Sequence, residues 1–153
     1  MALQMTGEVQ IAADITQVWV ALNDKDVLGQ CIPGCREIDW VSEDVLSAVV
    51  VAKLGPVRAT FSGKVTISDR QEPVRYRISG EGNGGIAGAA QGGALVHLSA
   101  SDTGTLLRYE VEAKVAGKIA QLGQRLIEGT AKKNADEFFT KFAALMQPET
   151  MPA

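Results

Sequence analysis

Apolar and polar positions alternate with period two through the middle of this chain, and shift to helical spacing near its start and at its end. Residues 3–11, LQMTGEVQI, read as a strand with polar Thr6, Glu8 and Gln10 on one face. Asp14 has the position of an N-cap for a short helix, ITQVWVALN, in which Ile15, Val18, Trp19 and Leu22 share a face. A second short helical stretch, DKDVLGQCI, follows Asn23 and is stopped by Pro33-Gly34. Turn signals then divide the alternating region into strands near 36–42, 45–54, 57–68, 73–82, 86–100 and 104–116, a spacing that implies antiparallel hairpins. From Lys118 to Met146 the pattern predicts one long helix, with Ile119, Leu122, Leu126, Lys133, Phe138, Phe142 and Leu145 partly tracing a stripe. Gly123 and Gly129 weaken that helix by up to ~1 kcal/mol each relative to Ala, and its length outweighs them.

The order of elements defines an α+β domain over 1–147, with 148–153 as a short tail. A seven-stranded antiparallel sheet curls, and the long helix is expected to cover its concave face. The space between them is then either a filled core or an apolar cavity.

Hairpin register says which side chains face that space. Placing Ala100 opposite Thr105 pairs Leu98 with Leu107, Val96 with Tyr109 and Ala94 with Val111, all on one face. The other face carries His97 opposite Arg108, then Glu110, Glu112 and Lys114. The turn Leu54-Gly55-Pro56-Val57 likewise sets Ala52 against Ala59 and Val50 against Phe61 inside, with Arg58, Ser62 and Lys64 outside. Tyr76 and Ile78 alternate with Arg75 and Arg77, and apolarity alone puts Ile38 and Trp40 inward. The inner face thus lacks acid–base residues. Its small members (Ala48, Ala52, Ala59, Gly63, Ala94) suggest room for a ligand, whereas Leu122, Leu126, Phe138 and Phe142 of the long helix would fill the space in the alternative. The expected lining is Phe61, Val65, Tyr76, Ile78, Val96, Leu98, Tyr109, Val111, Leu122 and Leu126. Arg125 is the candidate for meeting a polar head, against its plainer reading as part of a solvated face with Gln121, Glu128, Lys132 and Lys133.

Composition narrows the function classes. The chain has 153 residues, 46% apolar and 22% charged, which excludes global disorder. No run reaches the ~18 apolar residues of a membrane span. A net charge of −3 without a basic block gives no footprint for nucleic acid. The opening MALQMTGEVQ lacks the basic and apolar regions of a signal peptide, so a cytoplasmic protein is expected.

Chemistry-bearing motifs are sparse. His97, the single histidine, falls on the outer face, where a base or metal ligand would be unpartnered. Cys31 and Cys35 enclose Ile-Pro-Gly, a Cys-x3-Cys spacing that is neither a zinc set nor the redox Cys-x-x-Cys, so they read as small, partly buried thiols. Residues 80–93 hold seven of the 16 glycines, but a strand follows instead of a helix with Lys-Ser/Thr, which argues against a phosphate loop. A strongly bent hairpin at the cavity mouth and a flexible turn both fit that stretch. No catalytic residue, metal or cofactor is expected.

Gly7, Val18-Trp19, Asn23-Asp24, Cys31-Ile-Pro-Gly34, Leu54-Gly55-Pro56, Phe61-Ser-Gly63, the glycine-rich hairpin, Thr105-x-Leu107-x-Tyr109 and the run Gly117–Ile127 span nearly the whole chain in order. Together they resemble the carbon monoxide dehydrogenase G-subunit family, in the START-like, helix-grip superfamily that includes polyketide cyclases. The resemblance implies a helix-grip fold: a curved seven-stranded antiparallel sheet around a long C-terminal helix, with two short helices between the first two strands. It also implies an apolar ligand cavity, and association with a molybdenum-type carbon monoxide dehydrogenase or related hydroxylase, in membrane recruitment or electron hand-over. Family members often extend beyond this domain at the C-terminus. The sequence here runs to Ala153, so peripheral rather than autonomous membrane attachment is expected. The family supplies no catalytic motif to carry over. The leading expectation is a non-enzymatic accessory or carrier protein for a hydrophobic small molecule such as a quinone or lipid. A polyketide cyclase-like enzyme and a filled, partner-binding module are the alternatives.

Overall fold

A computed structural model describes residues 2–147, so the tail expected over 148–153 lies outside the described residues. Strand β1 (Ala2–Ile11) leads into helices α1 (Ile15–Leu22) and α2 (Lys25–Cys31). Six strands follow: β2 (Cys35–Trp40), β3 (Val45–Leu54), β4 (Val57–Gln71), β5 (Arg75–Asn83), β6 (Ala89–Ser101) and β7 (Gly104–Ala116). Helix α3 (Gln124–Met146) ends the described chain. All strand pairs are antiparallel, in the order β1-β7-β6-β5-β4-β3-β2, so consecutive hairpins run from β2 to β7 and β1 closes against β7.

Local chemistry sets the helix starts. The Asp14 carboxylate accepts from the Thr16 N–H at 3.1 Å, and the Gln17 side chain accepts from the Asp14 N–H at 3.3 Å, a reciprocal capping box. Asp24 does the same work for α2, accepting from Asp26 and Val27 at 2.8 and 3.3 Å. The predicted register holds in the hairpins: Leu98 faces Leu107, Val96 faces Tyr109, and Val50 faces Phe61. Ile38 and Trp40 lie opposite Ala48 and Leu46 and pack against the core.

Two expectations need correction. The long helix does not begin at Lys118: residues Lys118–Leu122 form a separate 3-10 turn, and α3 starts at Gln124. Gly123, at φ +95°, is the joint, a conformation that L side chains rarely adopt, and it turns the chain before the helix starts. Leu122 therefore belongs to the turn and not to the helix. The last strand of the glycine-rich hairpin also begins late, at Ala89, because Gly85–Ala87 form a 3-10 turn.

The core is divided. One cluster lies where α1 and the second half of α3 meet the sheet, and contains Ile11, Val18, Trp19, Leu46, Tyr76, Leu98, Leu107 and Phe142. A second lies at the opposite end, around Leu3, Ala87, Val115, Ile119 and Ile127, where α3 begins.

Candidate functional site

Between these clusters the concave face of the sheet is a band of small residues. Ala48, Gly63, Gly80, Gly82, Gly92 and Ala94 occupy it, flanked by Val50, Val65, Ile78 and Val111, and each of these is half-buried. Across from the band, α3 presents Ala131 and Ala135, one and two turns beyond Ile127 and before the Phe138, Phe139 and Phe142 group. Small side chains thus face each other in the middle of the molecule, between the two packed clusters, with Val65 and Ile78 packed against the first and Ala131 against the second.

The expected lining residues divide between half-buried positions and the closed core. Val65, Ile78, Val111, Phe61, Tyr109 and Leu126 are half-buried, and Val65, Ile78 and Tyr109 pack against the first cluster. Phe61 packs against the second cluster with its ring beneath Gly84, where an added Cβ would come within 2.6 Å. Leu126 lies over the β3–β4 turn, 2.9 Å from the place a Gly55 Cβ would take. Leu122 is half-buried in the same end, on the 3-10 turn. Tyr76, Val96 and Leu98 are only 3%, 7% and 1% exposed, closed into the first cluster. The Tyr76 ring meets Trp19 edge-on at 5.3 Å.

Tyr109 stacks on Phe139 with centroids 5.0 Å apart, which ties α3 to the β7 side of the sheet. Its hydroxyl lies over Gly7 of β1, 2.3 Å from where a Cβ would stand, so only glycine admits the ring there. Phe139 is not visible as a contact residue in the sequence because Phe138 and Phe139 are adjacent, and periodicity does not separate their roles; Phe138 meets it edge-on at 5.0 Å.

The inward-facing polar groups of the strands are few. Thr105 is fully buried and donates to the Ala13 carbonyl at 2.8 Å. The Tyr76 and Tyr109 hydroxyls form no hydrogen bond among the described residues. Burial pushes the Tyr76 hydroxyl far above the usual phenol range. Burial, and next the nearby Asp136 charge, raise Tyr109 too, so both remain neutral donors at ordinary pH. Burial raises the Cys31 and Cys35 thiols as well, and both are free. His97 faces outward opposite Arg108 and is exposed, as the register requires. Arg125 is exposed on the first turn of α3, at the rim.

The sheet has a second hollow, on its outer side. A groove of about 1260 Å³ crosses the strands past Asp39, Ser47, Lys64, Glu81, Gln91 and Lys114. These residues are cross-strand partners in one transverse row, with charges of both signs exposed to solvent. It is a saddle of mixed lining produced by sheet curvature, with Val49, Ala89 and Ala90 beside the polar row.

A curved antiparallel sheet gripping a C-terminal helix, with two short helices after β1, defines the START-like, helix-grip class. Residues 7–146 match the family of the carbon monoxide dehydrogenase G-subunit, CoxG, and the chain belongs to that family. A conserved protein of Geobacillus kaustophilus has a similar crystal structure, with TM-score 0.88 and 28% identity over 94% of this chain and 95% of that one. The fold is shared with the Zhui aromatase/cyclase from Streptomyces sp. R1128, with TM-score 0.68 and 15% identity over 95% of this chain and 94% of that one. It is shared equally with a START superfamily protein from Mycobacterium smegmatis, with TM-score 0.68 and 12% identity over 95% and 96% of the two chains. Among curated proteins, no sequence matches this chain. No helix among the described residues is long and apolar enough to cross a membrane.

Proposed function

We propose that the protein is a non-enzymatic carrier that holds a lipophilic small molecule, a quinone or a lipid, in the cleft under α3. In this reading it serves a molybdenum-type carbon monoxide dehydrogenase or a related hydroxylase, in membrane recruitment or electron hand-over. It would work in the cytoplasm or peripherally at the inner membrane face. The observation that carries the reading is the meeting of small residues, Ala131 and Ala135 on α3 and the glycine and alanine band on the sheet, all half-buried, between the two packed clusters. Burying apolar ligand surface there is worth about 25 cal/mol per Å². The unpaired hydroxyl of Tyr109 is a donor for a carbonyl oxygen, and Arg125 is exposed on the first turn of α3.

A polyketide cyclase-like enzyme acting on a hydrophobic aromatic substrate is the second reading, supported by the likeness to the Zhui aromatase/cyclase. General acid–base work needs groups that titrate near neutrality converging on the substrate. The two tyrosines are held neutral far from that range, which favours the carrier.

Native mass spectrometry of the protein purified from its own host tests this. The expected result is a retained apolar molecule at up to one per chain, released by organic extraction. A bare chain that also takes nothing from a quinone or lipid extract would contradict the reading.

A further inference from the structure

The charges of this molecule are separated end to end. Where α3 begins, three short connections meet: the β3–β4 turn, the Gly85–Ala87 turn and the Lys118–Leu122 turn. Their contacts fix the grouping. Leu126 covers Gly55, and Gly88 lies against Ala116 and Ile119. At the crest, Ile86 is 92% exposed, far beyond any other large apolar residue described.

Lys53, Arg58, Lys118 and Arg125 surround this tip, exposed, and none forms an ion pair among the described residues. The connections that build it, residues 53–58, 84–89 and 116–125, contain no Asp or Glu, and Glu128 follows on α3, where it accepts from Gln124 at 2.8 Å. The uncapped N-terminus of α3 points the same way and adds its partial positive charge. At the opposite end lie Asp14, Glu43, Asp44, Asp69, Glu72 and Asp102, of which Asp44 is paired with Arg70 and Asp69 with Arg77. One end is therefore basic with a protruding isoleucine, and the other is acidic on balance, with Asp14, Glu43, Glu72 and Asp102 in no ion pair among the described residues.

We propose that the basic tip docks on an anionic lipid surface, with Ile86 inserted at the headgroup boundary and Lys53, Arg58 and Lys118 against lipid phosphates. An apolar side chain standing alone on a glycine-flanked turn suits insertion among acyl chains, and clustered cations attract an anionic leaflet. The acidic end is repelled by the same surface, so the molecule stands with α3 starting at the membrane. This deepens the carrier reading by bringing one end of the cleft to the place where an apolar ligand would enter, but the docking is measured without any ligand.

Co-sedimentation with vesicles tests it. Vesicles of phosphatidylcholine with phosphatidylglycerol are expected to bind the wild type at least tenfold better than phosphatidylcholine alone, with binding lost as salt is raised. Ile86→Asp and the pair Arg58→Glu/Lys118→Glu should each weaken binding tenfold or more, while Asp102→Lys at the far end should not. Ile86 is solvent-exposed, so an unchanged melting curve for Ile86→Asp separates docking from folding. Wild type that stays in the supernatant with anionic vesicles, as a protein-only partner for this tip would require, overturns the proposal. So does Ile86→Asp binding as well as wild type. Titration of Ile86→Asp with a water-soluble short-chain quinone reports on the carrier reading separately: retained quinone binding with lost vesicle binding supports docking.

Discussion

Gly63 and Gly82 are direct partners across β4 and β5, yet they lack side chains for different reasons. A Cβ on Gly63 would stand 2.3 Å from the Glu81 carbonyl oxygen, which is backbone and cannot step aside. A Cβ on Gly82 would meet only the Ser62 carbonyl, at 4.0 Å. Gly63→Ala is therefore expected to cost about 1–3 kcal/mol, as overpacking does. Gly82→Ala should be neutral or gain about 0.4–1 kcal/mol by restricting the unfolded chain. Chemical denaturation of the two variants checks this, and equal losses would contradict the geometry. Sequence alone could not separate these cases, because a glycine that makes space and one that lets strands approach look the same. Tyr76 supports a second expectation. Burial keeps its proton on in the folded state above the ordinary value of 10.0, so the folded chain binds more protons than the unfolded one once pH passes that value. The contribution is fully present below pH 10.0 and is lost as pH rises beyond it. Tyr76→Phe should show a flatter decline of melting temperature between about pH 9 and about pH 11.5 than wild type, with no loss at neutral pH, since the hydroxyl has no partner to abandon. Parallel curves would count against the burial.

α3 shows how far a stripe of apolar residues can be trusted at the scale of an element. Phe142 is 0% exposed, whereas Leu145, assigned to the same stripe by spacing, is 47% exposed. Phe142→Ala is expected to cost about 3–5 kcal/mol and Leu145→Ala less than about 0.5 kcal/mol. Urea unfolding midpoints decide this, and a large Leu145 effect would mean that α3 is rotated from the position described. Strand alternation was more legible: the outward His97 and inward Tyr109 follow from a single hairpin register, because a slip of one residue would expose every apolar side chain on that strand. The break before α3 was not legible, because glycine is compatible both with a weakened helix and with the φ of +95° that Gly123 adopts. Gly123→Ala should cost about 1–3 kcal/mol, because φ +95° with ψ 151° is a region essentially confined to glycine. A stabilised Gly123→Ala would instead indicate a continuous helix from Lys118.

The whole molecule is two packed clusters joined by one sheet and one helix, with the band of small residues between them. The fold and the family could be read from motifs spread along the chain. The division of the core could not, since it depends on Ala131 and Ala135 of α3 lying opposite strands distant in sequence. For the same reason Tyr76, Val96 and Leu98 looked like lining residues although the first cluster encloses them: parity puts them on the concave face, and only the placement of α1 closes that end.

The central claim is that this middle region takes an apolar ligand. Calorimetric titration of wild type and Ala94→Trp with a short-chain menaquinone analogue, at several temperatures, tests it most directly. Ala94 sits in the small-residue band beside Ile78 and Val111, so a tryptophan there would occupy the proposed ligand space. The account expects saturable binding by the wild type with a negative heat-capacity change, the mark of apolar burial, and at least tenfold weaker binding by a folded Ala94→Trp. Absence of saturable heat with the wild type, or undiminished binding by Ala94→Trp, would contradict it.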